Sequence, residues 1–387
     1  MLLESLHRRN FLDSATRLTA SVVGWSLVSP FTRQILGQDD IEPTSANGVD
    51  WYNVQQWGVE GRGWSDTARY FDRLPQRAEA KVRGAVWGLS RHSAGMVARF
   101  ATSAATIHVR YRLSSSRVAM YHMPATGVSG VDLYAQDSDG RDHWLAVSRP
   151  EKQDVVQVLA SGIDPLPNKK SRVYSAYLPL YNGVERLEFG VPAGSDFQPI
   201  APRTNKPLLF YGTSIMHGAC ASRPGMSITG ILGRRLELPV INLGFSGNGR
   251  MEKAVGEFLC EIDPAVYIID CLPNMKAAEV TERTVPLVRQ LRAARPNAPI
   301  LLVEDRTYTN ARFRASSRER HATSRAAQRS AFDQLVAAGI KQLYYLPGEQ
   351  LLGVDGEAAT DGSHPNDLGM VRYADAYEKV LRDILDM

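Results

Sequence analysis

The chain has 387 residues, of which 44% are hydrophobic and 22% charged, and its formal net charge is +4. This length exceeds what one ordinary hydrophobic core accommodates, so two domains are expected. The small net charge gives no argument for nucleic-acid binding, and three cysteines without a Cys-x-x-Cys pair give none for a disulfide framework or a structural zinc site.

Residues 1–40 differ from the rest of the chain and predict an export signal. The stretch "LHRRNFLDSATRLTASVVGWSLVSP" places a cationic segment before a mildly apolar run, which is the order found in removable signals. Its "RRNFL" (residues 8–12) resembles a twin-arginine signal, whose passengers cross the membrane already folded. Because Arg17 interrupts the apolar run, we expect no stable membrane insertion after export.

The expected product is a periplasmic or extracellular protein that begins between about residues 30 and 45. A basic amphipathic N-terminal helix is the alternative to an export signal. N-terminal sequencing of the exported protein distinguishes the two, because an intact first residue would exclude a removable signal.

From residue 45 to residue 200 the sequence consists of short, alternating, strand-sized pieces. Examples are "VARFATSAATIHVRYRL" and "RVYSAYLPLYNGVERLEFGV", which are rich in β-branched and aromatic residues. "DSDG" (137–140) and "YNGV" (181–184) are interpreted as turns, in which the Asn-Gly pair supplies positive φ. The pattern predicts an antiparallel β-sandwich, jelly-roll-like, over residues 45–200.

The pattern changes after a proline-rich connector at residues 192–207. Helix-length amphipathic segments then separate five apolar runs, which are "PLLFYG", "PVINLG", "AVYIID", "PILLVE" and "QLYYLP". Such a sequence predicts a parallel sheet with helices on both faces over residues 205–387. Ligands of these sheets bind beyond the carboxyl ends of the strands, so the residues after each run are the candidates for a functional site.

Four segments at these positions carry reactive groups. Gly212-Thr213-Ser214 follows the first run, "NLGFSGNGR" starts at the end of the second and continues beyond it, and "DCLPNM" follows the third. "DGSHPNDLG" precedes the last predicted helix. Together they supply a hydroxyl, a flexible glycine backbone, a carboxamide and an Asp–His pair.

Those groups meet the needs of acyl transfer. Ser214 would be the nucleophile, His364 the base that takes its proton, and Asp361 the acid that orients the imidazole. The backbone N–H groups of Ser214 and Gly247, with the amide of Asn274, would form the oxyanion hole, where losing one donor costs about 2.7–4 kcal/mol. This chemistry requires no metal and no cofactor, and the sequence shows no cluster of metal ligands.

The same segments resemble the sequence blocks of the SGNH (GDSL-type) hydrolases, which are named for their Ser, Gly, Asn and His residues. The resemblance spans about residues 205 to 387 and implies a flavodoxin-like three-layer α/β/α domain. It implies Ser214 as nucleophile, His364 as general base and Asp361 as orienting acid. Gly247 and Asn274 would be the oxyanion partners.

The first half resembles the Gly-x-Asp-Leu-Tyr domain that precedes one bacterial branch of this superfamily. "MPATGVSGVDLY" (123–134) carries that motif, and "YFDRLP" and "VWGLSRHSAG" fit the same domain. Residues 120–124, including Met123, and Asp132 are the candidate substrate contacts of this half, and His217 is expected in the pocket wall. The alternative is that Asp132 and Tyr134 only hold the sandwich together.

The chain departs from the superfamily pattern at two points. Gly-Asp-Ser is Gly-Thr-Ser here, and Gly-x-Asn-Asp is Leu-Pro-Asn-Met, which leaves open what supports the loop that bears Asn274. Each block also has an alternative interpretation: Ser214 as a helix N-cap, "GFSGNG" as a phosphate-binding loop and "DGSH" as a surface turn.

Two further features are open. Residues 306–330 contain seven arginines and one glutamate, and they form either a solvated helix face or an attractor for anionic substrate. Cys220 and Cys271 follow strands near the expected site. They are either paired after export or small buried side chains.

These observations predict a serine esterase that hydrolyses small acyl esters, and the resemblance implies acetyl esters of carbohydrates. The expected partner is a small-molecule or glycan ester. One alternative is a lipase or thioesterase that uses the same site. The other is a non-catalytic carbohydrate-binding protein.

Overall fold

The computed structural model describes residues 41–387. The predicted export signal at residues 1–40 lies outside them and stays a prediction. In chain order, the strands and α-helices are β1 (Thr44–Ala46), β2 (Val49–Asn53), α1 (Gly84–Ser90), β3 (Val97–Thr102), β4 (Thr106–Leu113), α2 (Ala125–Val128), β5 (Asp132–Gln136), β6 (Asp142–Val147), β7 (Asp154–Ser161), β8 (Arg172–Tyr177), β9 (Val184–Pro192), β10 (Gln198–Ile200), β11 (Leu208–Gly212), α3 (Ser214–His217), α4 (Ile228–Arg235), β12 (Val240–Gly244), α5 (Lys253–Leu259), β13 (Val266–Asp270), α6 (Ala277–Ala294), β14 (Ile300–Val303), α7 (Ala315–Ala337), β15 (Leu343–Leu346) and α8 (Asp367–Leu385).

Strands β1 to β10 form two five-stranded antiparallel sheets, with the orders β1-β2-β9-β4-β7 and β10-β3-β8-β5-β6. The two sheets enclose one shared core. In β4, for example, every second residue points into it, namely Ile107, Val109 and Tyr111. This alternation follows from the two-residue period of a strand with one buried face. The predicted antiparallel β-sandwich is confirmed.

Strands β11 to β15 form a parallel sheet of order β12-β11-β13-β14-β15, which is the order of flavodoxin-like folds. Neighbouring residues of β11 face opposite cores. Leu208 and Phe210 pack with α4 and α8, whereas Leu209 and Tyr211 pack with α5 and α6. The five apolar runs are the five strands, and the predicted three-layer α/β/α architecture is confirmed.

Strands β12, β11 and β13 of the parallel sheet end level with one another. Gly212 at the end of β11 lies opposite Gly244 of β12 on one side and Asp270 of β13 on the other. The segments that follow these strands therefore leave the sheet at the same edge, which is where ligands of such sheets bind.

One of the two predicted turns has a different structure. Gly140 of "DSDG" has the expected positive φ, but Asn182 and Gly183 do not. They lie in a buried connection between β8 and β9, which belong to different sheets. The side chain of Asn182 makes hydrogen bonds with Ser115 and Ser129 there, so the Asn-Gly pair serves packing and not a hairpin.

The two halves of the described chain share their cores. Trp64 and Trp87 pack beside α5 and α6, and Met123 and Tyr181 pack beside α4 and α8. The β-sandwich half can therefore contribute residues to a site at the sheet edge. None of the helices within residues 41–387 combines the length and apolar character needed to cross a membrane.

Candidate active site

Ser214 is the first residue of α3, directly after the β11 strand end. Thr213 is the N-cap of this helix, because its Oγ1 accepts a hydrogen bond from the N–H of Ile215 at 3.3 Å. The N-cap interpretation of Ser214 is therefore wrong. Its hydroxyl is free for another partner and donates to Nε2 of His364 at 2.8 Å.

Asp361 and His364 lie on the loop that precedes α8. Oδ1 of Asp361 accepts hydrogen bonds from the N–H groups of Ser363 at 3.0 Å and His364 at 2.8 Å, and Oδ2 accepts one from Nδ1 of His364 at 2.7 Å. Because Nδ1 donates, Nε2 presents its lone pair to Ser214. "DGSH" is thus a turn, which was the alternative interpretation of this segment. The same turn places His364 within hydrogen-bonding distance of Ser214.

The charge of Asp361 is set by two opposing effects. Partial burial raises the pKa of its carboxyl, but the hydrogen bonds from the backbone and ring of His364 and from Ser363 outweigh burial and lower the pKa to about 2. Hydrogen bonds to the ionised form favour that form. Asp361 is therefore an anion at neutral pH, as an orienting partner of an imidazole requires.

The glycines of "GFSGNG" let this loop approach the Ser214 turn closely. A Cβ on Gly249 would lie 2.0 Å from the carbonyl oxygen of Gly212, and one on Gly244 would lie 2.2 Å from the nitrogen of His217. Gly247 is exposed, with a φ of +69° and open space beside it. Close packing accounts for the glycines at 244 and 249.

Asn274 ends a short 3₁₀ turn, Leu272–Asn274, that follows β13. Its amide is satisfied when the oxygen accepts hydrogen bonds from the N–H groups of Asn248 and Gly249 at 3.0 and 3.1 Å. That orientation turns the NH₂ group towards acceptors. It also ties the loop after β13 to the loop that bears Gly247.

His217 does not line a pocket. It is fully buried and stacks on Tyr181, with ring centroids 4.2 Å apart. Its Nε2 lies 3.3 Å from both Nη2 of Arg73 and Nδ1 of His92. Burial and the neighbouring charge of Arg73 hold the pKa of His217 well below its ordinary value, so it is a neutral residue of the contact between the halves.

Asp132 does not face the site either. It is fully buried; Oδ1 accepts a hydrogen bond from Nε1 of Trp144 at 2.9 Å, and Oδ2 accepts from Arg223 at 3.0 Å and from the N–H of Gly225 at 2.8 Å. These bonds tie β5 to the segment before α4 and leave neither oxygen for a substrate. Met123 is also buried, in the core beside α4 and α8. The prediction of Met123 and Asp132 as substrate contacts is therefore wrong.

Tyr121 and His122, next to Met123, lie beside the loop that bears His364 instead. The backbones of Met120 and Met123 bond to each other at 3.0 and 3.2 Å, which places the two intervening residues at the tip of a hairpin. The ring centroid of His122 is 5.9 Å from that of His364, and the ring of Tyr121 contacts that of His122, with centroids 4.3 Å apart and planes tilted by 32°. No sequence pattern distinguished these two residues within 120–124.

The arginine-rich segment divides into two groups. Arg306, Arg320 and Arg325 donate to backbone carbonyls of neighbouring loops, so they are structural. Arg312 and Arg314 are exposed, and the side chain of neither has a hydrogen-bond or ion-pair partner in the part of the chain that the structure describes. Their charges are available to an anionic substrate, as is that of Arg329, which is exposed and lies over the ring of Tyr345.

The cysteines of the described chain are unpaired. Cys220 and Cys271 are buried and free, and burial raises the pKa of the Cys220 thiol to about 11. Of the two interpretations of these residues, the structure shows the small buried side chains.

Asp270, the last residue of β13, is fully buried. Its Oδ2 accepts a hydrogen bond from the hydroxyl of Tyr377 at 2.6 Å, and within residues 41–387 its Oδ1 has no partner. Burial raises the pKa of Asp270 to about 7, although the hydrogen bond from Tyr377 acts in the opposite direction.

Asp270→Asn is expected to increase stability more at pH 8 than at pH 4. The folded-state pKa lies above the ordinary value of 3.8, so the wild-type free energy of unfolding is highest with the proton bound and falls as the pH rises from 3.8 through about 7. Asn carries no charge and removes this fall, whose upper limit is about 4 kcal/mol at about 1.4 kcal/mol per pKa unit. Urea denaturation of both proteins at each pH measures the difference, and an equal difference at pH 4 and pH 8 would contradict the prediction.

Two family sequence models match the chain in order. Residues 49–197 match the N-terminus of SGNH-hydrolase-type esterases (Gly-x-Asp-Leu-Tyr), and residues 205–382 match the GDSL-like lipase/acylhydrolase family. A search of curated proteins finds no match.

Solved structures with the same fold include hydrolases and a transferase. A candidate GDSL-like lipase from Bacteroides ovatus is 30% identical, with a TM-score of 0.82 over 87% of this chain and 98% of that one. The salicylyl-acyltransferase SsfX3 of a tetracycline biosynthetic pathway is 15% identical, with a TM-score of 0.64 over 89% and 97%. The acetyl xylan esterase Est2A from Butyrivibrio proteoclasticus is 11% identical, with a TM-score of 0.53 over 87% and 99%.

The last two likenesses show the fold alone. The first is close enough in sequence, and complete enough in coverage, to show the family, and both sequence models agree with it. The chain therefore belongs to the GDSL-like lipase/acylhydrolase (SGNH) family and is a carboxylic ester hydrolase.

Proposed function

We propose that this enzyme hydrolyses small acyl esters, with acetyl esters of carbohydrates as its substrate class, through an acyl-enzyme on Ser214. The observation that carries the proposal is an unbroken hydrogen-bonded chain. The Ser214 hydroxyl donates to His364 at 2.8 Å, and the other ring nitrogen of His364 donates to Asp361 at 2.7 Å. Nucleophile, base and orienting acid thus stand in the relation that covalent ester hydrolysis requires.

In this mechanism the Oγ of Ser214 attacks the ester carbonyl while Nε2 of His364 takes its proton. The tetrahedral intermediate collapses as the bond to the alcohol oxygen breaks, and His364 returns the proton to that oxygen. A water molecule, deprotonated by His364, then attacks the acyl-enzyme and releases the acid and Ser214. Asp361 remains an anion throughout and holds the imidazole in one tautomer.

The oxyanion of the intermediate would lie between three donors. As the first residue of a helix, Ser214 has a backbone N–H without an intrahelical acceptor. The N–H of Gly247 and the NH₂ group of Asn274 come from the two loops that the Asn274 oxygen joins. Donors held in place before the reaction stabilise charge that develops in the transition state.

The hairpin tip from the β-sandwich half supports a carbohydrate as the alcohol part of the ester. Tyr121 is 96% exposed, and its ring contacts that of His122, which lies beside His364. Its free aromatic face is suited to packing against the apolar face of a sugar ring. A relative of the same fold, Est2A, is named for acetyl xylan.

Tyr121→Ala is expected to raise KM for a mono-acetylated xylose by about 3- to 10-fold, the equivalent of about 0.5–1.5 kcal/mol for one aromatic contact. Kinetics with methyl acetate, which is too small to reach the tip, should not change. Tyr121→Phe keeps the ring and should behave as wild type. An equal rise in KM for both esters, or none for the sugar ester, would contradict a sugar-binding role of Tyr121.

A fluorophosphonate probe tests the mechanism directly, because it phosphonylates an activated serine. Peptide mapping should find the label on Ser214, and Ser214→Ala should take none. A series of p-nitrophenyl esters tests the acyl group, since a preference for long chains would favour a lipase or thioesterase. No labelling and no turnover of any ester would favour the non-catalytic carbohydrate-binding protein.

A further inference from the structure

One arginine side chain holds the loop that bears Asn274. Nη2 of Arg320, on α7, donates to the carbonyl oxygen of Pro273 at 2.8 Å and to that of Met275 at 3.4 Å. These are the two residues that flank Asn274. One guanidinium group therefore fixes the backbone on both sides of the amide.

A second arginine holds the loop that bears His364. Nε of Arg306 donates to the carbonyl oxygen of Ser363 at 3.0 Å, and its Nη2 contacts the Ser363 hydroxyl. Ser363 lies between Asp361 and His364 in sequence. Arg306 is almost completely buried, so water does not compete for these contacts.

The carboxylate of Asp305 lies between the two arginines. It forms an ion pair with Nη1 of Arg306, and its Oδ2 is 3.9 Å from Nε of Arg320 and 3.5 Å from Nδ1 of His321. Burial opposes the charge of Asp305, but Arg306 and His321 together hold its pKa below the ordinary value. Asp305, Arg306 and His321 are buried, whereas the side chain of Arg320 is 32% exposed. Breaking such a pair by removing one partner is costly, which keeps its members in one arrangement.

Resting on the proposed function, we propose that Arg320 is a positioning residue for the oxyanion hole. Arg320 orients the amide of Asn274 by holding the backbone on both sides of it. Arg320 also pairs with Asp305, the carboxylate that pairs with Arg306 behind the His364 loop. This assigns a support to the loop that lacks the superfamily's Asp after Asn274, because Met275 occupies that position. The loops that bear the oxyanion donor and the general base are thus both held by arginines that pair with the same buried anion, Asp305.

Arg320→Met is the first test, with Arg318→Met as its matched control. Arg318 lies on the same helix, but its Nη1 donates to the carbonyls of Ala311 and Arg312, away from both loops. We expect Arg320→Met to lower kcat by about 10- to 100-fold with little change in KM, because an oxyanion donor acts in the transition state and its misalignment costs less than its loss. Arg318→Met should leave both constants unchanged. Equal effects of the two variants would overturn the proposal.

A double-variant cycle separates positioning from a general structural role. If Arg320 acts through Asn274, then Asn274→Ala combined with Arg320→Met should be no slower than Asn274→Ala alone. Multiplication of the two losses would overturn the proposal. Arg320→Lys, which keeps the charge beside Asp305 but cannot span both carbonyls as a guanidinium does, should fall between wild type and Arg320→Met, and it serves in the cycle if the methionine variant does not fold.

Hydrogen exchange makes the test independent of esterase activity. The N–H groups of Asn274 and Met275 bond to the carbonyls of Cys271 and Leu272 at 3.0 and 2.9 Å. Arg320→Met should speed exchange in a peptide covering residues 271–276, and Arg318→Met should not. Unchanged exchange would overturn the positioning role even in an active enzyme. Faster exchange in a protein that hydrolyses no ester would place the failure in the proposed function instead.

Discussion

Ser214→Ala is expected to lower kcat for ester hydrolysis by about 10⁶-fold, the loss typical of a serine nucleophile in such a triad. In the proposed mechanism His364 activates the Ser214 hydroxyl through the 2.8 Å hydrogen bond between Oγ and Nε2. Alanine removes the attacking atom and leaves Thr213, the N-cap of α3, in place. Folding should therefore be unaffected, and the loss should be one of chemistry.

The partners of Ser214 should lose activity in a graded and non-additive way. His364→Ala is expected to cost as much as Ser214→Ala, because the hydroxyl then has no base. Asp361→Asn is expected to cost about 10⁴-fold in kcat, since the amide cannot hold the imidazole in the tautomer that frees Nε2. The triple variant should be no slower than Ser214→Ala.

Single-turnover and steady-state kinetics with p-nitrophenyl acetate measure these losses, and circular dichroism confirms the fold. His143→Ala is the matched control, because His143 makes the same kind of contact with Asp137, at 2.8 Å, on the surface of the β-sandwich half. Its kcat should equal that of wild type. Residual activity of Ser214→Ala within about 100-fold of wild type would contradict a covalent mechanism at this residue.

The site was predictable because it depends on the geometry of parallel strands. Strands buried on both faces are recognisable as apolar runs, and their carboxyl ends meet at one edge. The register of Gly212 with Gly244 and Asp270 shows why residues far apart in sequence gather there. The proximity of Ser214, His364 and Asp361 could therefore be predicted from three things: the strand positions, the residue chemistry and the family resemblance.

The contacts between the two halves were not predictable in the same way. Asp132 and His217 have the residue types of a binding site, and whether each faces solvent depends on partners distant in sequence, Arg223 for the first and Arg73 for the second. The same holds for the arginine-rich segment. Arg306 and Arg312 belong to the same arginine-rich segment, and nothing in the sequence separates them. Arg306 is buried and Arg312 is exposed, because only Arg306 lies behind the His364 loop.

Arg73 joins the two halves and supports the strand that leads to the glycine loop. It is almost completely buried, and its guanidinium donates to carbonyl oxygens on both sides of the contact: those of Leu89 at 2.6 Å, His92 at 2.9 Å, Asn242 at 2.9 Å and Gly244 at 2.8 Å. "YFDRLP", which carries Arg73, was recognised only as part of a domain resemblance. In the structure, Arg73 of this segment connects the two halves by hydrogen bonds.

Arg73→Met is expected to lower the free energy of unfolding by about 3–5 kcal/mol. Methionine fills much of the volume but donates nothing, so the buried carbonyls of Asn242 and Gly244 and the partly buried ones of Leu89 and His92 lose this donor. Each group left unsatisfied costs about 1–3 kcal/mol, and relief from burying the charge offsets part of that cost. Denaturant unfolding followed by tryptophan fluorescence measures the change. Arg77→Met is the control, because Arg77 also links the halves, through an ion pair with Glu261, but is 43% exposed. It should change stability by less than about 1 kcal/mol, and equal losses for the two variants would show that burial of the Arg73 hydrogen bonds is not what joins the halves.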